Sequence, residues 1–162
     1  MDDQVQKAKN AAYHYLSFRA RSVVEVSDKL REKDFCPEIV AAVVSDLQRQ
    51  KLLDDREFAR RWVEARLDRA YGSRKLAQDL RRKGVAIEVV EEVLGEYAEM
   101  LDSGERAVDL LAKQAWRYRG LEAEKAKRRM LGFLARRGYD AESARAAVET
   151  VWQELTDGVE GS

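Results

Sequence analysis

The sequence has only one cysteine, one histidine and one proline in 162 residues. A lone cysteine, Cys36, cannot form an internal disulfide, which fits a reducing compartment. Because His14 is the only histidine, a His/Cys zinc site is excluded and a Ser-His-Asp catalytic arrangement is disfavoured. No glycine-rich phosphate loop is present in the sequence. We therefore expect a protein that is not an enzyme and uses no metal or cofactor.

Long apolar runs are missing too. No stretch of about 18 apolar residues is available to span a membrane. The N-terminal segment "MDDQVQKAKN" lacks the basic and then apolar form of a secretory signal. The sequence therefore predicts a cytoplasmic protein that does not contact a membrane.

The chain has no net charge, because 30 basic residues balance 30 acidic ones. An argument for nucleic-acid binding must therefore be made locally rather than from the totals. The charged fraction is 37%, and Arg, Glu, Leu and Ala are prominent. Since no alternating segment is long enough to indicate a sheet, the composition predicts an all-α fold.

One helical pattern occurs three times, with Leu30, Leu80 and Leu134 as its anchors. Apolar residues recur around each anchor at the spacing of one helix face. Four residues before the anchors stand Val26, Leu76 and Met130; after them come Val40, Val43 and Val44, then Val90, Val93 and Leu94, then Ala144, Ala147 and Val148. Each copy predicts a helix ending near its anchor, a short turn and a second amphipathic helix.

The turns between these helices repeat in their chemistry. Lys33, Lys83 and Arg137 place a cation in the last turn of the first helix, where it complements the free carbonyl groups. Gly84 and Gly138 then suit a left-handed position, for which Asp34 is a weaker substitute. The next helix opens with an acid, and Pro37 and Asp140 suit its first turn and N-cap; the three acids are Glu38, Glu88 and Glu142.

A further helix precedes each pair: Ala12, Tyr15 and Leu16 match Ala59, Trp62 and Val63, with a weaker copy at Ala107, Leu110 and Leu111. The spacing to the following helix is 3 residues from Arg19 to Ser22, 6 from Arg66 to Gly72 and 12 from Gln114 to Ala126. Length therefore varies in the connecting segment. Ser22 with Glu25 predicts a capping box, Asp54 or Asp55 caps a second helix, and Asp102 with Glu105 caps a third.

The pattern predicts nine helices, at 4–19, 22–33, 37–50, 55–70, 73–83, 87–101, 105–118, 123–137 and 141–155. They divide into three-helix repeats at 1–53 (repeat 1), 54–101 (repeat 2) and 102–156 (repeat 3), with a flexible tail at 157–162. About 50 residues is close to the size at which a separate core is marginal. The repeats should therefore depend on their neighbours and form an elongated or curved array, with a compact nine-helix globule as the alternative.

Charge is strongly segregated in repeat 2. Residues 56–83 contain ten bases and four acids, whereas residues 84–102 contain six acids and no base. In repeat 3 the segment "EKAKRRMLGFLARRG" has six bases and one acid. Such faces suit a phosphate backbone or an acidic protein surface, although backbone contacts carry no base sequence information. Solvated helix faces are the structural alternative.

The aromatic residues and adjacent acids have structural alternatives as well. Trp62, Trp116 and Trp152 could be stacking platforms, but Trp62 lies on the apolar face of its helix, which favours core packing. Tyr71, beside Gly72, is a candidate for an exposed aromatic residue. Asp54 and Asp55 are adjacent acids at a helix start, a position typical of capping residues rather than of a catalytic pair.

The segments "RARSVVEVSDKLREKDF" and "LLDDREFARRWVEARLDRAYGSRKLAQDLRRKGV" have a specific motif pattern. This pattern resembles that of the RecX family of bacterial regulators of the RecA recombinase. Arg21, Ser22, Glu25, Leu30 and Lys33 carry the first match; Leu53, Asp54, Asp55, Phe58, Ala59, Trp62, Val63, Arg66, Gly72, Leu76, Leu80, Lys83 and Gly84 carry the second. Val26, Asp34 and Asp79 depart from the family's Leu, Gly and Glu, and the similarity extends over about residues 11 to 155.

The resemblance implies a non-enzymatic modulator built from tandem three-helix repeats. Such a protein binds RecA–DNA filaments in their helical groove and inhibits ATP hydrolysis, strand exchange and the stimulation of repressor cleavage. We expect a monomer that contacts DNA indirectly or weakly. A direct DNA-binding module of the helix-turn-helix type is the alternative, and a helical adaptor without nucleic acid is a third reading.

The residues predicted to contact the filament or its DNA lie on the basic faces: Arg66, Arg69, Arg74, Lys75, Arg81, Arg82, Lys125, Lys127, Arg128, Arg129, Arg136 and Arg137. The predicted protein-binding acidic face consists of Glu88, Glu91, Glu92, Glu96 and Glu99.

Overall fold

A computed structural model of the chain describes residues 2–67, 69, 71–101 and 103–160, with the backbone alone for 159 and 160. The α-helices are α1 Asp2–Phe18, α2 Val23–Glu32, α3 Pro37–Arg49, α4 Asp55–Glu64, α5 Ser73–Arg82, α6 Ile87–Glu96, α7 Ala98–Leu101, α8 Gly104–Ala112, α9 Ala123–Arg136 and α10 Ala141–Glu160; a 3-10 helix spans Ala115–Arg117. No strand occurs within these ranges. The predicted all-α fold is confirmed.

Three predicted helices are shortened or divided in the structure. α4 ends at Glu64 rather than 70, because the chain tightens into three-residue turns from Val63 onward. The helix predicted at 87–101 is divided into α6 and α7, and the helix predicted at 105–118 ends at Ala112, with Gln114 N–H donating to the Leu111 carbonyl three residues back. Amphipathic spacing continues across these breaks, so periodicity alone could not locate them.

The last helix is longer than predicted and runs to Glu160 instead of 155. Thr156 Oγ1 donates to the Trp152 carbonyl, and Gln153 donates to Asp157 across one helical turn. The helix therefore includes the first part of the segment predicted to be a flexible tail, while residues 161 and 162 lie outside the described range. The boundaries of the three repeats remain a prediction.

The chain divides into two compact units. Unit 1 is Met1–Trp62 with Asp79–Val93, and unit 2 is Val63–Gln78 with Leu94–Ser162. Repeat 2 contributes residues to both units, so it does not form a separate body of its own. This division agrees with the expectation that repeats of about 50 residues depend on their neighbours.

The core of unit 1 lies among α1, α2 and α3. Ala8, Val26, Leu30, Val43 and Leu47 are inaccessible to solvent. They come from the helix faces that the repeat pattern identified, since residues three and four apart share one side of a helix. Leu53 joins this core immediately before α4.

The core of unit 2 is formed by α8, α9 and α10. Leu111, Met130 and Leu134 are fully buried, and Val148 from α10 packs with them. Tyr118, which follows the 3-10 helix, is 5% exposed and belongs to the same cluster. The segment between α8 and α9 is therefore fixed to the core of repeat 3. No helix in the described part of the chain is long and apolar enough to cross a membrane.

Most predicted helix caps are confirmed. Ser22 and Glu25 form a capping box at α2, Pro37 occupies the first turn of α3, and Asp140 accepts the Ser143 N–H at 2.8 Å. Asp54 accepts the N–H groups of the first turn of α4. Ser103 caps α8, where Asp102 had been expected; Asp102 itself lies outside the described residues.

The turn that follows the second helix of each repeat is left-handed, as predicted. The φ angles are 67° at Asp34, 85° at Gly84 and 91° at Gly138. In unit 2 the Gly72 N–H donates to the Arg137 carbonyl at 2.6 Å and the Arg74 N–H donates to the Gly138 carbonyl at 3.2 Å. The free N–H groups at the start of α5 thus satisfy the free carbonyls at the end of α9.

The corresponding contact in unit 1 uses a side chain. Ser22 stands at the position equivalent to Gly72, is completely buried, and donates its hydroxyl to the Lys83 carbonyl at 2.5 Å. The start of α2 therefore meets the end of α5 as the start of α5 meets the end of α9. Each unit thus contains one contact of this kind, in which the start of a second helix meets the turn that follows another.

Candidate nucleic-acid and protein interface

The predicted basic face of α5 consists of side chains with different environments. Arg74, Arg81 and Arg82 are exposed, and among the described residues none of them has a carboxylate within ion-pair distance. Lys75 is half-buried and lies against Gly138. The exposed arginines are the members of this face that remain available to a partner.

Lys83, the next base along the chain, has a structural role instead. Its Nζ lies 3.7 Å from a Glu25 carboxylate oxygen and 5.6 Å from the centre of the Trp62 ring. Burial alone would raise the pKa of the Glu25 carboxyl, but hydrogen bonds from Arg19 and from the Ser22 N–H, with Lys83 nearby, hold that pKa below its usual range. Lys83 therefore helps to keep this half-buried acid ionised.

The outer face of α9 is more uniformly basic. Lys125, Arg128, Arg129 and Arg136 are exposed around Gly132, and the only acid of α9 is the exposed Glu124, one helical turn before Arg128. The two remaining predicted bases point elsewhere. Lys127 is half-buried and pairs with Glu149 at 3.0 Å, and the Arg137 guanidinium lies 5.2 Å from the centre of the Phe133 ring.

Three bases of α5 and three of α9 occupy equivalent positions relative to the repeat anchors. Arg74 corresponds to Arg128, Lys75 to Arg129 and Arg82 to Arg136, whereas repeat 1 has Val24, Glu25 and Glu32 at these positions. The basic face is therefore a shared property of repeats 2 and 3. Exposed cations at equivalent positions, Arg74 with Arg128 and Arg82 with Arg136, suit a ligand whose negative charge also repeats.

An open cleft of about 620 Å³ lies beside the basic face of α9 in unit 2. Arg128, Arg129 and Arg136 line it together with Arg117, which comes from the 3-10 helix before α9. Tyr118, Gly132 and Phe133 line it as well. No carboxylate lines the cleft, so its four guanidinium groups favour an anionic ligand.

The other predicted residues lie at separate places. Arg66 is half-buried and Arg69 is exposed, with the Arg69 carbonyl accepting a hydrogen bond from Arg106. The five acids are all exposed: Glu88, Glu91, Glu92 and Glu96 on α6, and Glu99 on α7. Glu92 pairs with Arg56 at 3.0 Å in unit 1. The acidic face is thus accessible, and Glu92 already has a cationic partner.

The aromatic residues differ sharply in exposure. Trp62 is half-buried, with its ring 5.9 Å from that of Phe58, and Trp152 packs against the core of unit 2. Tyr71 is half-buried rather than exposed, which corrects the expectation from its position beside Gly72. Trp116 has 66% of its surface exposed. It is the tryptophan that a stacking role would suit.

Sequence reasoning did not include Trp116 or Arg117 in the basic face. The signal was the long spacer of repeat 3, where 12 residues separate Gln114 from Ala126. The spacing by itself indicates only a helix end or loop of changed length, and the pattern places Trp116 and Arg117 at the end of a helix predicted at 105–118. The fixation of the spacer by Tyr118 beside α9 could not be predicted, because it depends on tertiary packing.

Comparison with known proteins identifies the repeats. Three family models match in order: the first three-helix domain of RecX at residues 8–47, the second at 54–94 and the third at 102–148. The chain belongs to the RecX family. The three matches follow one another in the order of the three predicted copies.

Relatives of similar length carry the name regulatory protein RecX. The protein from Mycobacterium sp. (strain JLS) is 40% identical over 149 residues, covering 86% of this chain and 77% of its own. The protein from Amycolatopsis mediterranei is 36% identical over 139 residues, covering 85% and 79%. The crystal structure of RecX from Lactobacillus salivarius aligns with a TM-score of 0.84 at 27% identity, covering 96% of this chain and 99% of that one. This RecX-family chain thus shares both fold and sequence with regulatory proteins.

Proposed function

We propose that the protein is a non-enzymatic regulator that binds RecA–DNA filaments and inhibits RecA ATP hydrolysis, strand exchange and coprotease activity. The observation that supports the proposal is the repetition of exposed arginines at equivalent positions of α5 and α9, Arg74 with Arg128 and Arg82 with Arg136. A filament of protein wound on DNA would present repeated phosphates and repeated subunits to such a basic surface. Membership of a family of regulatory proteins is consistent with this role.

The mechanism follows from the two kinds of charged surface. The basic faces of repeats 2 and 3 engage phosphates or acidic filament surface, while exposed acids such as Glu88 and Glu91 meet basic protein surface. Binding several filament subunits with one chain raises the effective concentration of each later contact without requiring a single strong one. Occupation of these surfaces hinders entry of a second DNA strand and the subunit motions that accompany ATP turnover.

The first experiment is a pull-down with preassembled RecA filaments, free RecA and free DNA as separate baits. Retention on filaments well above that on either free component is the expected result. A protein retained equally by DNA alone would instead be a direct DNA-binding module, a function that the basic second helices of the repeats also suit. Indifference to all three baits would overturn both proposals.

A charge reversal tests the basic face of α5. In Arg74→Glu/Arg81→Glu/Arg82→Glu, three exposed contacts are reversed while Lys75, which packs against Gly138, is left intact. Each exposed contact contributes up to about 1 kcal/mol, so loss of the three should raise the concentration needed for half-inhibition of filament ATPase by up to roughly a hundredfold.

The matched control is Arg31→Glu, at the position of repeat 1 that corresponds to Arg81. Arg31 is exposed and pairs with Asp28 at 3.3 Å. The Arg31→Glu variant should inhibit the filament ATPase at the same concentration as the unaltered protein. If the folded triple variant also inhibited at the normal concentration, the α5 face would have no part in the mechanism.

A further inference from the structure

The spacer between α8 and α9 distinguishes repeat 3 from the other two. Residues 113–122 read "KQAWRYRGLE" and contain three bases and, at the end, one acid. Within it the 3-10 helix Ala115–Arg117 holds Trp116, and the adjacent Tyr118 is buried in the core of unit 2. The spacer is therefore a fixed element that carries an aromatic ring and cations, rather than a loose connection.

Trp116 lies on the outside of this element. Its side chain is 66% exposed, and the Arg117 guanidinium lies 5.2 Å from the centre of its ring. A large apolar ring gains free energy when it leaves water, so an indole held in the open beside a cation is suited to a planar partner. Arg117 connects this ring to the cleft, because it also lines the cleft with Arg128, Arg129 and Arg136.

We propose that Trp116 and the arginine cleft form a binding site for single-stranded nucleic acid. The cleft arginines contact successive phosphates, and an unpaired base stacks on the Trp116 ring, the combination by which proteins hold single strands without sequence preference. A duplex fits less well because its bases are already stacked on one another. An acidic protein surface would satisfy the arginines but would give the exposed indole no planar partner.

The inference extends the nucleic-acid side of the proposed function, but the site requires no recombinase. Its test therefore uses naked strands. Binding of a labelled oligothymidylate of about 16 nucleotides is followed by fluorescence anisotropy at low salt. Trp116→Ala should weaken binding by about 5- to 150-fold, and Trp116→Phe, which keeps an aromatic face, by much less.

A strand of the same length without bases separates stacking from charge. Trp116→Ala should bind this abasic strand as the unaltered protein does, since the phosphates remain. Arg128→Glu/Arg136→Glu should weaken the binding of both strands. Two matched controls should leave binding unchanged: Arg145→Glu, an exposed base of α10 outside the cleft, and Phe18→Ala, an exposed aromatic residue of α1.

Equal affinity of Trp116→Ala and the unaltered protein for oligothymidylate would overturn the stacking site. Tighter binding of duplex than of single strand would overturn it as well, and so would failure of the unaltered protein to bind naked strands. None of these results bears on inhibition of the filament ATPase, which contains recombinase and is judged separately. The two proposals therefore fail independently.

Discussion

Asp54 and Asp55 are adjacent in the chain, yet their carboxylates serve different helices. Asp54 accepts the Arg56 and Glu57 N–H groups and caps α4. Asp55, the first residue of α4, turns the other way and accepts the Val23 N–H at the start of α2 at 2.9 Å. Burial raises the pKa of Asp55 above its ordinary range, and the hydrogen bond from Val23 offsets this only in part.

Two substitutions at Asp55 separate its hydrogen bond from its charge. Asp55→Asn keeps an oxygen that can accept the Val23 N–H and removes the half-buried charge, so at pH 7 it should be at least as stable as the unaltered protein. Asp55→Ala leaves that N–H without its partner and should lower the free energy of unfolding by about 1–3 kcal/mol. Urea unfolding at pH 7 measures both.

The pH dependence of the Asp55 contribution has a definite sign. Because its folded pKa is raised, the folded state binds more protons than the unfolded state just above pH 4, and this contribution to stability falls as pH rises through the folded pKa. The stability of Asp55→Asn relative to the unaltered protein should therefore shrink on acidification towards pH 4. A difference that grows on acidification, or equal destabilisation by Asn and Ala at pH 7, would contradict this assignment.

The junction between α5 and α9 shows how helix ends are joined. A Cβ placed on Gly72 would lie 2.5 Å from the Gly138 carbonyl oxygen, and one placed on Gly138 would lie 2.5 Å from the Lys75 backbone nitrogen. Gly138 also has a positive φ, whereas Gly72 does not. Close approach is thus required at both glycines, and left-handed backbone is required at Gly138 alone.

Three glycine-to-alanine variants of unit 2 separate these requirements. Gly120→Ala meets open space at φ 79° and should cost only about 1 kcal/mol of backbone strain. Gly72→Ala meets backbone atoms without that strain and should cost about 1–3 kcal/mol. Gly138→Ala combines both effects and should cost most; thermal unfolding gives the order. Equal costs at Gly120 and Gly138 would show that the junction tolerates a Cβ.

The glycine pattern was predictable from the sequence in one respect and not in another. Spacing from the anchors located the left-handed turns at Asp34, Gly84 and Gly138, because turn chemistry is local. It did not reveal that Gly84 and Gly138 also receive the start of another helix, which is a tertiary contact. Asp34 is exposed, so having Asp instead of Gly at this position costs only the strain of a left-handed backbone and causes no clash with another helix.

The candidate site was predictable to a similar extent. Composition located the basic segments, and helical spacing separated core positions such as Met130 and Leu134 from the outer face of α9. Neither composition nor spacing predicts that Lys83 pairs with Glu25 or that Lys127 pairs with Glu149, because those contacts join residues that are distant in the chain. The inclusion of Arg117 in the cleft depends in the same way on how Tyr118 packs.

On the scale of the whole molecule, a neutral chain carries charge of opposite sign on different helices. Thirty bases and thirty acids cancel, but the exposed bases repeat on α5 and α9 while exposed acids occupy α6. At long range the attraction of the bases to a polyanion and the repulsion by the acids largely cancel in a neutral chain. Salt also screens both within about 10 Å at 0.1 M. Binding then depends on matching several local faces at once, which favours a long ordered ligand.

This arrangement predicts how salt dependence responds to loss of charge. Each phosphate contact contributes about 0.9 to the slope of log affinity against log salt for duplex DNA and about 0.7 for single strands. Arg81→Gln/Arg82→Gln should therefore reduce the slope for filament binding by the contribution of up to two phosphate contacts. Arg128→Gln/Arg129→Gln should reduce it by a similar amount. If both faces engage one filament, the combined variant should lose the sum of the two reductions. Filament pull-downs at several salt concentrations, with Arg145→Gln as the control, measure these slopes; a combined loss no greater than that of either pair would mean that only one basic face contacts phosphate.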